Sequence, residues 1–101
     1  MQKYRDVIEM HPTYGLGHHG LAVALWNHKQ PQQALLHIKR AIELNPNDVE
    51  QYYIAGRICF SLGEMAIAMK YFAVYVEKAP DTYNTADLLK RWPTLASVTA
   101  I

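Results

Sequence analysis

Five histidines and one cysteine are the side chains of this sequence best equipped to hold a metal or attack a substrate, and the neighbouring pair His18 and His19 is the obvious place to begin. Adjacent residues of a helix point roughly 100° apart, whereas ligands sharing one face need a spacing of three or four. No His, Cys, Asp or Glu near the pair completes an HExxH or CxxC arrangement, so His18 reads as a packing residue. Cys59 has no neighbouring histidine or cluster of positive charge to favour its thiolate, and reads as a buried, inert thiol. No glycine-rich phosphate loop, nucleophile elbow or paired-carboxylate motif is present. The expectation is a non-enzymatic chain with no metal and no cofactor.

The 101 residues suit one domain, and the formal net charge of +1 comes from lysines and arginines scattered singly. A nucleic-acid binder would concentrate basic residues on one face, so that class is not expected. Half of the residues are apolar. None of the apolar runs approaches the roughly 20 residues of a membrane-spanning helix, and membrane insertion is not expected either. A lone cysteine and the lack of a secretory leader pattern make a reducing compartment the default, taken as cytoplasmic, although a domain excised from an exported protein would look the same.

What must position any site is a repeat. Pro12, Pro46 and Pro80 stand thirty-four residues apart, and the residues eight before them are Tyr4, Ile38 and Phe72. Four before them stand Ile8, Ile42 and Val76, and three before them Glu9, Glu43 and Glu77. Small residues pair across the same period, Ala34 with Ala68 and Ala22 with Gly56, where backbones would approach closely. Proline stops a helix, and the following Thr13, Asn47 and Asp81 can each accept a hydrogen bond from the open N–H groups of a new one. Glu50, three after Asn47, would complete a reciprocal cap. A softer break divides each period, at "HKQPQQ" with Pro31 and at "SLGEM" with Gly63. The spacing predicts helices over 2–11, 14–28, 31–45, 48–61, 64–79 and 82–92, and no strand.

This pattern resembles the tetratricopeptide repeat (TPR), a 34-residue helix–turn–helix unit of the form W-x2-L-G-x2-Y, A-x3-F, P. It falls on His18, Leu21, Ala22, Leu25, Ala34, Ile38 and Pro46, and again on Tyr52, Ala55, Gly56, Cys59, Ala68, Phe72 and Pro80. Residues 13–46 and 47–80 would be complete units, 1–12 the second helix of a partial one, and 81–101 a partial or capping one. Pro93 cuts the last unit's first helix short, leaving residues 94–101 as either a short helix or a tail. The resemblance implies an all-α, right-handed solenoid of antiparallel helical hairpins, five to six helices in one domain. Beginning inside a unit suggests a piece excised from a longer array, or ends covered by another copy of the chain.

In such proteins the first helix of each unit lines a concave surface that receives a partner's peptide or helix. The resemblance places His19, Val23, Trp26 and Asn27 there on one helix, Tyr53, Arg57 and Phe60 on the next, and Asn84, Asp87 and Arg91 on the last. Aromatic and arginine side chains are what binding hot spots favour. A helical aromatic stripe is also what a core presents, so burial is the competing reading for Trp26, Tyr53 and Arg57. The places where chaperone-binding relatives grip a C-terminal carboxylate hold His19, Val23, Gly20, Asn84 and Leu88, of which only Asn84 is strongly polar, so that role is not expected. The expected function is a scaffold binding a protein or peptide partner. The rivals are a self-assembling homo-oligomer and the adaptor portion of a larger enzyme.

Overall fold

The computed structural model describes residues 2–95, and among them six helices and no strand. They are α1 (Gln2–Met10), α2 (Gly15–Asn27), α3 (Pro31–Leu44), α4 (Glu50–Ser61), α5 (Met65–Lys78) and α6 (Tyr83–Arg91). Each lies within two residues of the span expected from the proline and glycine punctuation. Of the segment 94–101, all but its first two residues fall outside the described residues. The molecule is elongated, 42 × 25 × 20 Å. α2 packs on α3 and α4 on α5, with α3 joining the two hairpins to each other. α1 lies against α2, α6 reaches the rest of the molecule through α5, and α2 also touches α4 directly.

Two apolar clusters run through the stack. The first gathers Leu21, Ala22, Leu25, Ala34, Ile38, Ala41, Ala55 and Ile58, and the second Cys59, Ala68, Phe72, Tyr75, Val76, Leu88 and Leu95. The alanines at the repeat's small positions, Ala34 and Ala68, are fully buried, as close helix crossing requires. His18 is buried in a packing position, and so is Cys59, whose thiol is pushed up from its ordinary range chiefly by burial.

The softer break of each unit has the same backbone solution twice. Gly63, at φ 77°, ends α4, and Glu64 N–H closes back on the Cys59 carbonyl at 2.9 Å. Thirty-four residues earlier Lys29, at φ 62°, ends α2, and Gln30 N–H closes on the Leu25 carbonyl at 2.9 Å. This is the closing bond of a left-handed helix stop, which glycine adopts freely and a residue with a Cβ does not. Lys29→Gly should therefore stabilise the protein by about 0.5–1 kcal/mol, read from the midpoint of urea unfolding. An unchanged or lowered midpoint would contradict the strain at Lys29.

The proline corners differ from expectation. Thr13, Asn47 and Asp81 do not cap the following helices, since α2 and α4 have no side-chain cap bond and α6 is capped by Thr82, whose hydroxyl accepts from Thr85 N–H at 3.2 Å. The cap expected from Asn47 with Glu50 does not form either. The reason lies in the turns. Tyr14 N–H reaches the His11 carbonyl at 3.0 Å and Asp48 N–H the Asn45 carbonyl at 3.2 Å, which places Pro12-Thr13 and Pro46-Asn47 at the centres of tight turns.

The corner carbonyls are instead satisfied by the next helix's first turns. His18 Nε2 lies 2.9 Å from the Pro12 carbonyl, and the Tyr52 hydroxyl, thirty-four residues on, donates to the Pro46 carbonyl at 2.9 Å. Gln51 Nε2 donates to the Asn45 carbonyl at 2.8 Å, and Thr85, thirty-four residues on, donates its hydroxyl to the Ala79 carbonyl at 2.5 Å. Gln51 and Thr85 are each 1% exposed, and these bonds are what make such burial tolerable.

Candidate functional site

α2, α4 and α6 are the first helices of their hairpins, and residues three, four and seven apart on them form strips of one face. On α4 the strip is Tyr53, Arg57 and Phe60, and on α6 it includes Asp87 and Arg91. These five side chains line one cavity of about 250 Å³ between the two helices, together with Ser61, Phe72, Leu88 and Trp92. The backbones of α4 and α6 do not pack closely on each other, and side chains line the space between them. Phe72 forms a floor, stacked on Trp92 with centroids 5.7 Å apart, while Phe60 leans on Trp92 from the rim at 5.6 Å. Phe60 is 45% exposed.

The arginines are held differently. Arg91 pairs with Asp87 on its own helix at 3.4 Å. The Arg57 guanidinium lies 5.4 Å from the Trp26 ring centroid and 5.6 Å from that of Tyr53, and donates to the Tyr53 hydroxyl at 3.0 Å. The two rings fix the guanidinium through cation–π attraction without neutralising it. Among the described residues no carboxylate comes within ion-pair distance of Arg57.

The remaining expected residues separate into two places. His19, Val23 and Asn27 line a shallower cavity of about 340 Å³ against Tyr4, Gly20 and Ala24. His19 Nδ1 is buried there and makes no hydrogen bond among the described residues. Trp26, half-buried against the first apolar cluster, reaches the other group through Arg57. Asn84 lines neither cavity. Its Nδ2 lies 3.5 Å from the Tyr75 hydroxyl, which also approaches Glu50 at 3.4 Å and the Thr82 hydroxyl at 3.1 Å.

Core and groove, alternatives for Tyr53 in the sequence, coincide in the structure. Its ring is half-buried against Tyr75 at 5.2 Å and Phe72 at 6.0 Å, yet it also forms part of the cavity wall. Sequence reasoning missed Trp92. It stands thirty-four residues after buried Ile58, and that offset was the available signal. Past the end of α6 the chain turns, with Leu95 N–H on the Trp92 carbonyl at 3.0 Å, and the turn brings Trp92 onto Phe72 and Leu95 into the core.

No constellation for covalent chemistry comes together among the described residues, and none of their His, Cys, Asp and Glu side chains form a group of three that could hold a metal. His18 and His37 do meet, Nδ1 to Nδ1 at 3.3 Å with stacked rings. With His18 Nε2–H donating to Pro12, neutral His18 offers an acceptor and His37 the donor. Burial lowers the His37 pKa from its ordinary 6.5, and the neighbouring His18 and Arg5 lower it further. The unfolded chain therefore binds this proton more readily, so the contribution is full above pH 6.5 and is lost as pH falls below it toward the lowered folded value. The thermal-midpoint advantage of the wild type over His37→Asn should shrink between pH 8 and pH 5, by about a degree or more. An advantage that grows on acidification would reverse the sign.

Paired helices joined by tight corners, repeating every thirty-four residues and leaving a side-chain-lined strip on every other helix, define a helical-hairpin repeat protein. The tetratricopeptide repeat family model matches residues 15–48. Two uncharacterized TPR repeat-containing proteins of Arabidopsis thaliana are each 33% identical over 68 residues, which is 67% of this chain and 8% of theirs. The chain belongs to the tetratricopeptide repeat family. Repeats of this family generally mediate protein–protein interaction. The chain spans about 8% of the length of these relatives. No helix among the described residues is long and apolar enough to cross a membrane.

Proposed function

We propose that this chain is a non-catalytic interaction scaffold that receives a peptide segment or helix of a protein partner along α2, α4 and α6. The observation that carries the reading is the α4–α6 cavity, an aromatic-walled recess bordered by the fixed cation of Arg57. Aromatic and arginine groups around a concavity are the usual anchors of binding energy. In this reading residues 13–46 and 47–80 are the complete units of one domain, with partial ones at 1–12 and 81–101. His19, Val23, Trp26 and Asn27 extend the contact strip from one end, and Asn84, Asp87 and Arg91 from the other.

The test is to select binders from a displayed random-peptide library and map them on the isotope-labelled protein by NMR. Shifts gathered on α2, α4 and α6 support the groove. Shifts gathered on exposed Leu36 of α3 and Met65 and Ile67 of α5 would overturn it. Light scattering addresses self-assembly, which predicts a mass that rises with concentration.

A further inference from the structure

The chemistry around the proposed groove narrows its occupant, an inference that rests on the groove being the binding face. The α4–α6 cavity holds about 250 Å³, below the range of small-molecule and cofactor sites but suited to one large side chain. Its floor and far wall are Phe72 and Trp92, and Phe60 stands at the rim. Against the Trp92 and Phe60 rings a polar group would lose its hydration without finding a partner, so that side of the cavity favours an apolar one, while Arg57, Ser61, Asp87 and Arg91 supply the polar side.

At the same rim the charges do not balance. Among the described residues Arg57 and Arg91 face a single carboxylate, Asp87, which Arg91 already holds at 3.4 Å. Glu50, one turn before Tyr53 on α4, lies instead near the Tyr75 hydroxyl at 3.4 Å. Arg57 is left as one net positive charge, stiffened by two rings and one hydroxyl. A guanidinium immobilised beforehand loses little freedom on binding an anion, and its remaining N–H groups match a carboxylate's two oxygens. One uncompensated charge suits a monoanion better than the dianion of a phosphate group.

We infer that the α4–α6 cavity takes a large apolar side chain of a bound peptide while Arg57 at its rim takes a carboxylate of the same peptide. In an extended segment alternate residues share a side, so the two groups stand two residues apart. The partner motif is an aspartate or glutamate separated by one residue from an aromatic or large aliphatic residue.

The probes are short capped peptides presenting Glu-Gly-Phe or Phe-Gly-Glu between glycine–serine flanks, titrated into the isotope-labelled full chain up to about 5 mM. The Trp92 indole N–H and the α4 amides report binding. One of the two orders should shift them, and replacing its glutamate by glutamine should weaken binding about ten-fold in the wild type but not in Arg57→Gln. Arg57 is exposed, and Tyr53 and Trp26 keep their other contacts, so that variant keeps its fold, checked by circular dichroism. Replacing the phenylalanine by alanine should remove binding.

Equal binding of the glutamate and glutamine peptides would overturn the charge assignment and leave the groove standing. Tighter binding of a phosphoserine peptide would overturn the choice of carboxylate. Groove shifts that persist with the alanine peptide would overturn the apolar anchor. Absence of any groove shift with either order would overturn the motif, while the library selection separately decides the groove itself.

Discussion

Phe72→Ala should lower the stability of this protein by about 3–5 kcal/mol. Phe72 is 1% exposed and ranks with Tyr75 among the largest fully buried side chains. Its ring stacks on Trp92 at 5.7 Å, leans on Tyr53 at 6.0 Å, and lies where a Cβ on Gly56 would otherwise be. Truncation removes the transfer energy of the ring and opens a space that helices locked by their own hydrogen bonds cannot collapse to fill. A domain of this size has about 5–15 kcal/mol in total, so the loss takes a large fraction of it. Urea unfolding followed by circular dichroism measures the change, and tryptophan emission should move to longer wavelength as Trp92 gains water. A loss below about 1 kcal/mol would mean that Phe72 is not the floor described.

Gly56→Ala should be the second large effect, at about 1–3 kcal/mol of destabilisation. In an open helix this exchange is favourable by roughly 1 kcal/mol, because glycine has more backbone freedom to lose. Here the added Cβ would meet Phe72 ring carbons at 2.5 and 2.6 Å, and the buried ring can yield only by disturbing its packing on Trp92 and Tyr53. Overpacking therefore outweighs propensity. Gly20→Ala is the control, since its Cβ would also strike a ring, that of Tyr4 on α1, but Tyr4 is 38% exposed and can swing toward solvent. That variant should stay within about 1 kcal/mol of the wild type. In a Phe72→Leu background the penalty of Gly56→Ala should shrink or change sign, because the two residues compete for one volume. An undiminished penalty there would place the conflict elsewhere.

The hairpins and their core were legible because their causes are local. Proline at 12, 46 and 80 ends a helix whatever surrounds it, Gly63 adopts a left-handed stop with little strain, and apolar residues at helical spacing mark an inward face. Ala34, Ala68, Ile38 and Phe72 are buried as their repeat positions suggested. The caps misled for an equally physical reason. Thr13 and Asn47 have side chains able to cap, but the tight turns centred on Pro12-Thr13 and Pro46-Asn47 place them outside the helix. Lys29 shows the same limit in reverse, a residue with no preference for positive φ carried there by the geometry of its unit.

The amino-acid order alone determined a thirty-four-residue period of helical hairpins, since backbone sterics and side-chain spacing act within a few residues. Tertiary packing decided the rest: that His18, Tyr52, Gln51 and Thr85, unlike in chemistry, take up the carbonyls of successive corners, and that Trp92 closes one wall of a cavity over Phe72. It also decided that Arg57 is held, among the described residues, by aromatic rings and not by a carboxylate. Such outcomes depend on which groups neighbouring helices bring within a few ångströms, and short-range atomic contact between distant parts of a chain leaves no spacing to read.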